Sequence, residues 1–248
     1  MFRKLALTAT LLALPLSSAA AQQKTLDQVL KCYYDAIGGL QAWHAVNSMV
    51  SYGSMSAGGM QFPFIGYQKR PNMQRAQFTV QGMTGIQAFD GETGWMVMPF
   101  AGVTTPEKMT EDQVKQIKEG ADIDGPLVNY QDKGIQVKML GTEDVQGTQA
   151  YRLEVTLKDS TVQYYDMDTD YCLPIRVSGK REQGGQAYEY HTTIGDYKPV
   201  KGLVMPHSIQ TTVTGMPQAD QTLTVDSVKL NVSLPDSLFT MPDTTSSH

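Results

Sequence analysis

Lys69-Arg70-Pro71-Asn72 closes one alternating stretch of this chain, and eighteen residues later Asp90-Gly91-Glu92-Thr93-Gly94-Trp95 opens another, followed by Pro99. Proline removes a backbone donor and biases its predecessor toward extended backbone, so Arg-Pro-Asn reads as a strand end and a turn. Asp-Gly supplies a tight turn, because glycine tolerates positive φ at no steric cost. The segment therefore puts a cation at the end of one strand and, after a tight turn, an indole at the start of another. Strands joined by such short turns pair antiparallel.

The same period of two extends in both directions. Strands are predicted over residues 48–56, 60–69, 73–80, 85–89 and 94–98, with Gly58-Gly59, Gln81-Gly82 and Asp90-Gly91 in the turns. A second set is predicted over 135–140, 150–158, 161–166, 173–178, 187–197, 204–213 and 223–230. Before the first set, Thr25 and Gln28 form a capping box. Leu26, Val29, Leu30, Tyr33, Tyr34 and Ile37 then make an apolar stripe at helical spacing that Gly38-Gly39 ends. A short second turn follows over 40–46. Between the strand sets, Thr110 caps a helix over 111–118 with acids in its first turn, and another turn or two is expected over 123–130.

One helix, five strands, a helical insertion and seven strands make an α+β chain. An antiparallel sheet of this length must curl, and helices over its concave face enclose an apolar space.

Residues 1–21 read as a cleavable export signal: Arg3 and Lys4, an apolar stretch from Leu5 to Leu16, then Ala19-Ala20-Ala21. That stretch is shorter than the roughly 20 residues of a membrane span. No cysteine follows the small-residue site, so no lipid anchor is expected. Residues 22–241 are read as one domain and 242–248 as a loose tail. Without Arg3 and Lys4 the chain has 18 basic and 25 acidic residues. A mildly acidic chain without a basic stripe is a poor partner for nucleic acid. Cys32 and Cys172 suit either a disulfide or two buried thiols, and the sequence leaves both open.

The motifs of covalent chemistry are missing. Gly53-Ser54-Met55-Ser56-Ala57 lacks the second glycine of a nucleophile elbow. His44, His191, His207 and His248 show no metal-ligand spacing. Asp166-Met167-Asp168-Thr169-Asp170 begins like a calcium loop, but Tyr171 and Val177 stand where that loop needs Gly and Glu, so it reads as a hairpin turn. No enzyme activity, metal or cofactor is expected. Seven of the 14 methionines, among them Met60, Met96 and Met98, fall in the first strand set. Methionine repacks readily and recurs on surfaces that meet variable apolar ligands.

Taken in order, Lys69-Arg70-Pro71-Asn72, Asp90-Gly91-Glu92-Thr93-Gly94-Trp95 and Pro99 resemble the LolA/LolB-like superfamily, in particular LolA-type outer-membrane lipoprotein-sorting proteins. The early helix, the helical insertion and Pro235-Asp236-Ser237-Leu238-Phe239 agree with this. Met73-Gln74-Arg75 stands where the family has an aromatic. The resemblance implies an incomplete, strongly curved β-barrel with helices as a lid over a hydrophobic cavity. It implies a periplasmic monomer that carries acyl chains of lipoproteins or other lipids toward the outer membrane, between membrane-bound donor and acceptor proteins. The family's key arginine falls on Arg70. Trp95, Met96, Met98, Met60 and Phe64 are assigned with it to the ligand site. The alternative is a periplasmic lipid- or lipoprotein-sensing or protein-interaction domain with no transfer role.

Overall fold

The computed structural model describes residues 24–243 apart from Gly184, so the segment read as an export signal and residues 244–248 of the tail lie outside the described residues. Helix α1 spans Leu26–Ala36 and α2 spans Leu40–His44. The Thr25 hydroxyl accepts from the Gln28 amide at 3.4 Å, and the Gln28 side chain accepts from the Thr25 amide at 2.8 Å. Gly38, at φ 101°, separates the two helices where a Cβ would stand 2.3 Å from the Gly202 carbonyl oxygen. Only glycine fits that approach.

Thirteen strands follow: β1 Ser48–Ala57, β2 Met60–Lys69, β3 Met73–Val80, β4 Met83–Phe89, β5 Gly94–Met98, β6 Val103–Lys108, β7 Gln136–Val145, β8 Thr148–Thr156, β9 Val162–Asp168, β10 Pro174–Gln183, β11 Gln186–Val200, β12 Leu203–Val213 and β13 Gln221–Leu230. Helix α3, Glu111–Ala121, lies between β6 and β7. All thirteen strands form one sheet in the order β6-β5-β4-β3-β2-β1-β13-β12-β11-β10-β9-β8-β7. Each neighbouring pair is antiparallel. The sheet is an incomplete barrel: β6 and β7 are its edges and do not pair with one another.

The two strand sets meet at β1 and β13, the first and last strands among the described residues. Their register shifts between Tyr52 and Gly53. A Cβ on Gly53 would lie 1.9 Å from the Thr224 carbonyl oxygen, so glycine permits the bulge that bends the sheet where its halves join.

The sequence pattern misses β6. Val103-Thr104-Thr105-Pro106-Glu107-Lys108 carries proline and two charges, and its residues are mostly exposed. Those features hide a strand from a hydrophobic pattern and suit an edge. Residues 123–130 form a run of turns with no helix. Helix α3 continues past 118 through Gly120, where a Cβ would meet the Gln74 side chain at 2.7 Å, so the helix passes this close to β3.

Val29 and Leu30 of α1 pack on Tyr151, Leu153, Val155 and Met167 of β8 and β9. A disulfide joins Cys32 of α1 to Cys172 after β9, with Cα atoms 5.7 Å apart, and resolves the choice the sequence left open. On the other side of β1–β5 the C-terminal segment is strapped down. Lys69 pairs with Asp236 at 2.5 Å, Arg75 donates to the Leu238 carbonyl at 3.0 Å, and the Trp95 indole N–H donates to the Phe239 carbonyl at 2.6 Å.

Candidate ligand-binding cleft

Residues opposite one another in a ladder share a face, so the register assigns the concave surface. On β9–β12 that surface carries Tyr165, Val177, Tyr190, Ile194 and Ile209, aligned by the pairs Tyr165–Val177, Val177–Thr192 and Ile194–Ile209. They line a cleft of about 1850 Å³ with Met109, Val114, Ile135 and Leu157 along its sides. Ordinary small-molecule pockets hold about 300–1,000 Å³, so this space suits something longer.

Helix α3 crosses the cleft as a strap. Toward the first half of the sheet, Gln68 donates to the Gly120 carbonyl at 2.6 Å, and Val114 and Met109 approach Gly94 closely. Toward the second half the attachments are polar. Lys115 pairs with Asp159 at 3.0 Å, and Gln116 donates to the Tyr188 hydroxyl at 3.4 Å. Glu119 accepts from Arg181 at 2.8 Å and from Gln163 at 3.1 Å. The exposed Lys115–Asp159 pair exchanges with water at small net cost, whereas the partly buried Arg181–Glu119 pair exchanges readily only for another acceptor. The strap is therefore hinged more firmly on the first half than on the second.

Arg70 fastens the loop behind the strap. Its Nη1 and Nη2 donate to the two carboxylate oxygens of Asp124, each at 2.6 Å. Its Nε donates to the Val46 carbonyl at 2.6 Å and Nη2 to the Trp43 carbonyl at 3.1 Å. One guanidinium thus joins the end of β2, α2 with the segment that follows it, and the loop following α3. Lys133 adds a bond to Asp122 at 2.5 Å and one to the Gly125 carbonyl at 2.7 Å. The Asp124 hydrogen bonds hold the Arg70 proton more tightly than usual, against the opposing effect of burial. Burial pushes the Asp124 carboxyl up, but Arg70, Lys133 and His44 together hold it below the ordinary carboxylate value. Burial raises the phenols of Tyr165 and Tyr190, which keeps both neutral in the cleft.

Of the six residues assigned from sequence, Arg70 lines this cleft. Met96 shares the α3 side of the sheet and takes a contact from Gln113 at 3.8 Å to sulfur. Phe64 opposes Phe78 across the β2–β3 ladder and is buried, and Met98 ends β5 beside Val103. Met60 stands half exposed at the β1–β2 hairpin. Trp95 points to the opposite face, buried under the C-terminal segment with its N–H bonded to Phe239. Sequence reasoning does not find Glu119, Gln163, Arg181 or Tyr190. Glu119 lies 44 and 62 residues from Gln163 and Arg181, and only the sheet topology brings the three together. Among the described residues no group of three or more His, Cys, Asp and Glu side chains is placed to hold a metal ion.

No protein-family model matches the chain, and no curated protein sequence matches it significantly. Solved structures do. A LolA superfamily protein from Nitrosomonas europaea aligns at 18% identity and TM-score 0.59, over 88% of this chain and 98% of that one. The chain has the LolA-type fold. A DUF1329 family protein from Desulfovibrio piger aligns at 14% identity and TM-score 0.57, over 85% and 97% of the two chains. A domain described as an outer membrane lipoprotein-sorting protein domain, from Vibrio parahaemolyticus, aligns at 13% identity and TM-score 0.56, over 85% and 95%. In this LolA-type fold, Arg70 sits at the cleft margin and α3 crosses its mouth. No helix of the described residues is long and apolar enough to cross a membrane.

Proposed function

We propose that this protein binds acyl chains of lipoproteins or other lipids in the cleft and carries them through the periplasm toward the outer membrane, with no covalent chemistry. The observation that carries this reading is the open cleft of about 1850 Å³ with an apolar floor, crossed by a helix that Lys115, Gln116 and Glu119 tie to the far side through polar bonds. The LolA-type fold and the export signal read at residues 1–21 support it. Each methylene shielded from water contributes about 0.8 kcal/mol, so a long acyl chain gains on the order of 10 kcal/mol from such a space.

In this reading the strap shifts as the chain enters, and Arg70 keeps the loop behind it in register during that movement. Phe64, Met96 and Met98 extend the wall on the first half of the sheet, and Met60 stands at its margin. The carrier works as a monomer between membrane-bound donor and acceptor proteins.

Native mass spectrometry of protein released from cells without detergent tests this. A co-purifying acyl lipid, or protection of an added acyl probe from water, is the expected result. Bare protein that protects no probe contradicts it.

A further inference from the structure

Two arginines line the cleft, and they differ in what they have left to offer. Arg70 uses Nε, Nη1 and Nη2 on the Val46 and Trp43 carbonyls and both oxygens of Asp124. Arg181 makes one side-chain hydrogen bond among the described residues, from Nη2 to Glu119. Its Nε is buried without an acceptor, and its guanidinium lies 4.2 Å from the Tyr190 ring centre. Stacking on a ring fixes the plane of a guanidinium but satisfies few of its donors.

Gln163 stands beside it. Its amide nitrogen donates to the same Glu119 oxygen at 3.1 Å, while its own oxygen accepts from the Tyr165 hydroxyl at 3.3 Å. Two donors fixed on the sheet thus converge on one carboxylate oxygen that belongs to the strap. The other cations of the cleft are placed differently. Lys115 and Lys133 are paired with Asp159 and Asp122, and Lys118 and Lys158 stand exposed at the rim. Beyond Arg181 the floor continues as Val177, Ile194 and Ile209. A charged seat therefore borders an apolar trough.

We propose that Arg181, with Gln163, seats the anionic head of an amphiphile whose chain lies along the trough, and that Glu119 occupies this seat until the ligand arrives. This rests on the cleft being the acyl-chain site. Arrival of a ligand carboxylate or phosphate displaces Glu119, which removes one attachment of α3 to the second half of the sheet. Loading and loosening of the strap are then the same event. A head without negative charge leaves Glu119 in place and gains only the apolar contacts.

The experiment uses delipidated full-length protein and three probes in calorimetric titrations: palmitate, methyl palmitate and inorganic phosphate. Charge-assisted hydrogen bonds predict that palmitate binds about tenfold or more tightly than methyl palmitate. Arg181→Gln should abolish that preference, and Glu119→Gln, which loosens the strap for both lipids, should strengthen palmitate severalfold and methyl palmitate by less. Gln163→Leu, which keeps the Arg181–Glu119 pair, should weaken palmitate relative to methyl palmitate. Amide exchange in α3 should accelerate when palmitate is bound to the wild-type protein. Equal affinity for palmitate and its methyl ester, or an undiminished preference in both Arg181→Gln and Gln163→Leu, would overturn the proposal while leaving the carrier reading intact. Phosphate that competes with palmitate at equal concentration would also overturn it, because the seat would then need no chain. Failure to bind either lipid would overturn the carrier reading itself, and this inference with it.

Discussion

Arg70 and Asp124 form a two-pronged ion pair, both bonds at 2.6 Å, that joins residues 54 positions apart. The arginine side chain is 25% exposed and the aspartate 9%, so the pair sits at the protein's margin with its carboxylate inside. A planar fork facing a carboxylate fixes orientation as well as distance, which suits a joint that must hold a loop in one register.

Arg70→Ala should destabilise the protein by about 3 kcal/mol, because it leaves the Asp124 carboxylate buried without its partner. Arg70→Lys should cost less, since it keeps the charge and loses the fork. Urea unfolding gives the magnitude, and amide exchange should locate the loosening in residues 122–134. An Arg70→Ala protein with wild-type stability and exchange would remove this joint from the account.

The acid limb of stability follows from Asp124. Its folded carboxyl titrates below the ordinary value of about 3.9, so its contribution is fully present above that pH and is lost as pH falls through the lowered folded value. Asp159, held down by Thr161 and Lys115 against burial, adds the same sign. Asp166 adds the opposite one, because burial raises it despite Arg176 and Arg152. Asp124→Asn should therefore lose less stability than wild type below about pH 4, measured by thermal unfolding across that range.

The Cys32–Cys172 bond spans 140 residues of sequence and ties α1 to the turn after β9. Closing so long a loop restricts the unfolded chain by up to about 5 kcal/mol on the entropic model. Cys32→Ser with Cys172→Ser should lower the urea midpoint accordingly. The effect should match that of reducing the wild-type protein.

Trp95→Phe removes the donor to the Phe239 carbonyl and should cost about 1–2 kcal/mol, largely from the acceptor left buried. Because Trp95 faces away from α3, acyl-probe affinity should stay at the wild-type level. A tenfold loss of affinity in a folded Trp95→Phe protein would place the indole in the site after all.

Much of the fold is legible because its signals are local. Thr25 with Gln28, and Thr110 ahead of two acids, announce two helix starts, and capping boxes form at both, the second between Thr110 and Gln113. Gly58-Gly59 and Gln81-Gly82 announce hairpins, and each of these residues has positive φ. Arg70 is legible because Arg-Pro-Asn is a contiguous motif. The closure of β13 onto β1 is not legible, since it pairs the last strand with the first through a bulge that depends on Gly53 meeting Thr224. Arg181 is hidden for a related reason: it lies past the strand predicted over 173–178, whereas β10 runs on to Gln183 and carries Arg181 into the cleft and Lys180 out to solvent. Trp95 is the converse case. An indole beside a family motif suggests a ligand wall, but alternation along β5 sends it under the C-terminal segment.

The central claim is that an acyl chain lies on the concave face beneath α3. A palmitate analogue bearing a photoreactive diazirine at the chain terminus, crosslinked to the delipidated protein and mapped by peptide mass spectrometry, tests it most directly. The account predicts label on the trough residues Val177, Ile194 and Ile209 and on Val114 of the strap. Label confined to the opposite face near Trp95 and Phe239, or no saturable label, would contradict it.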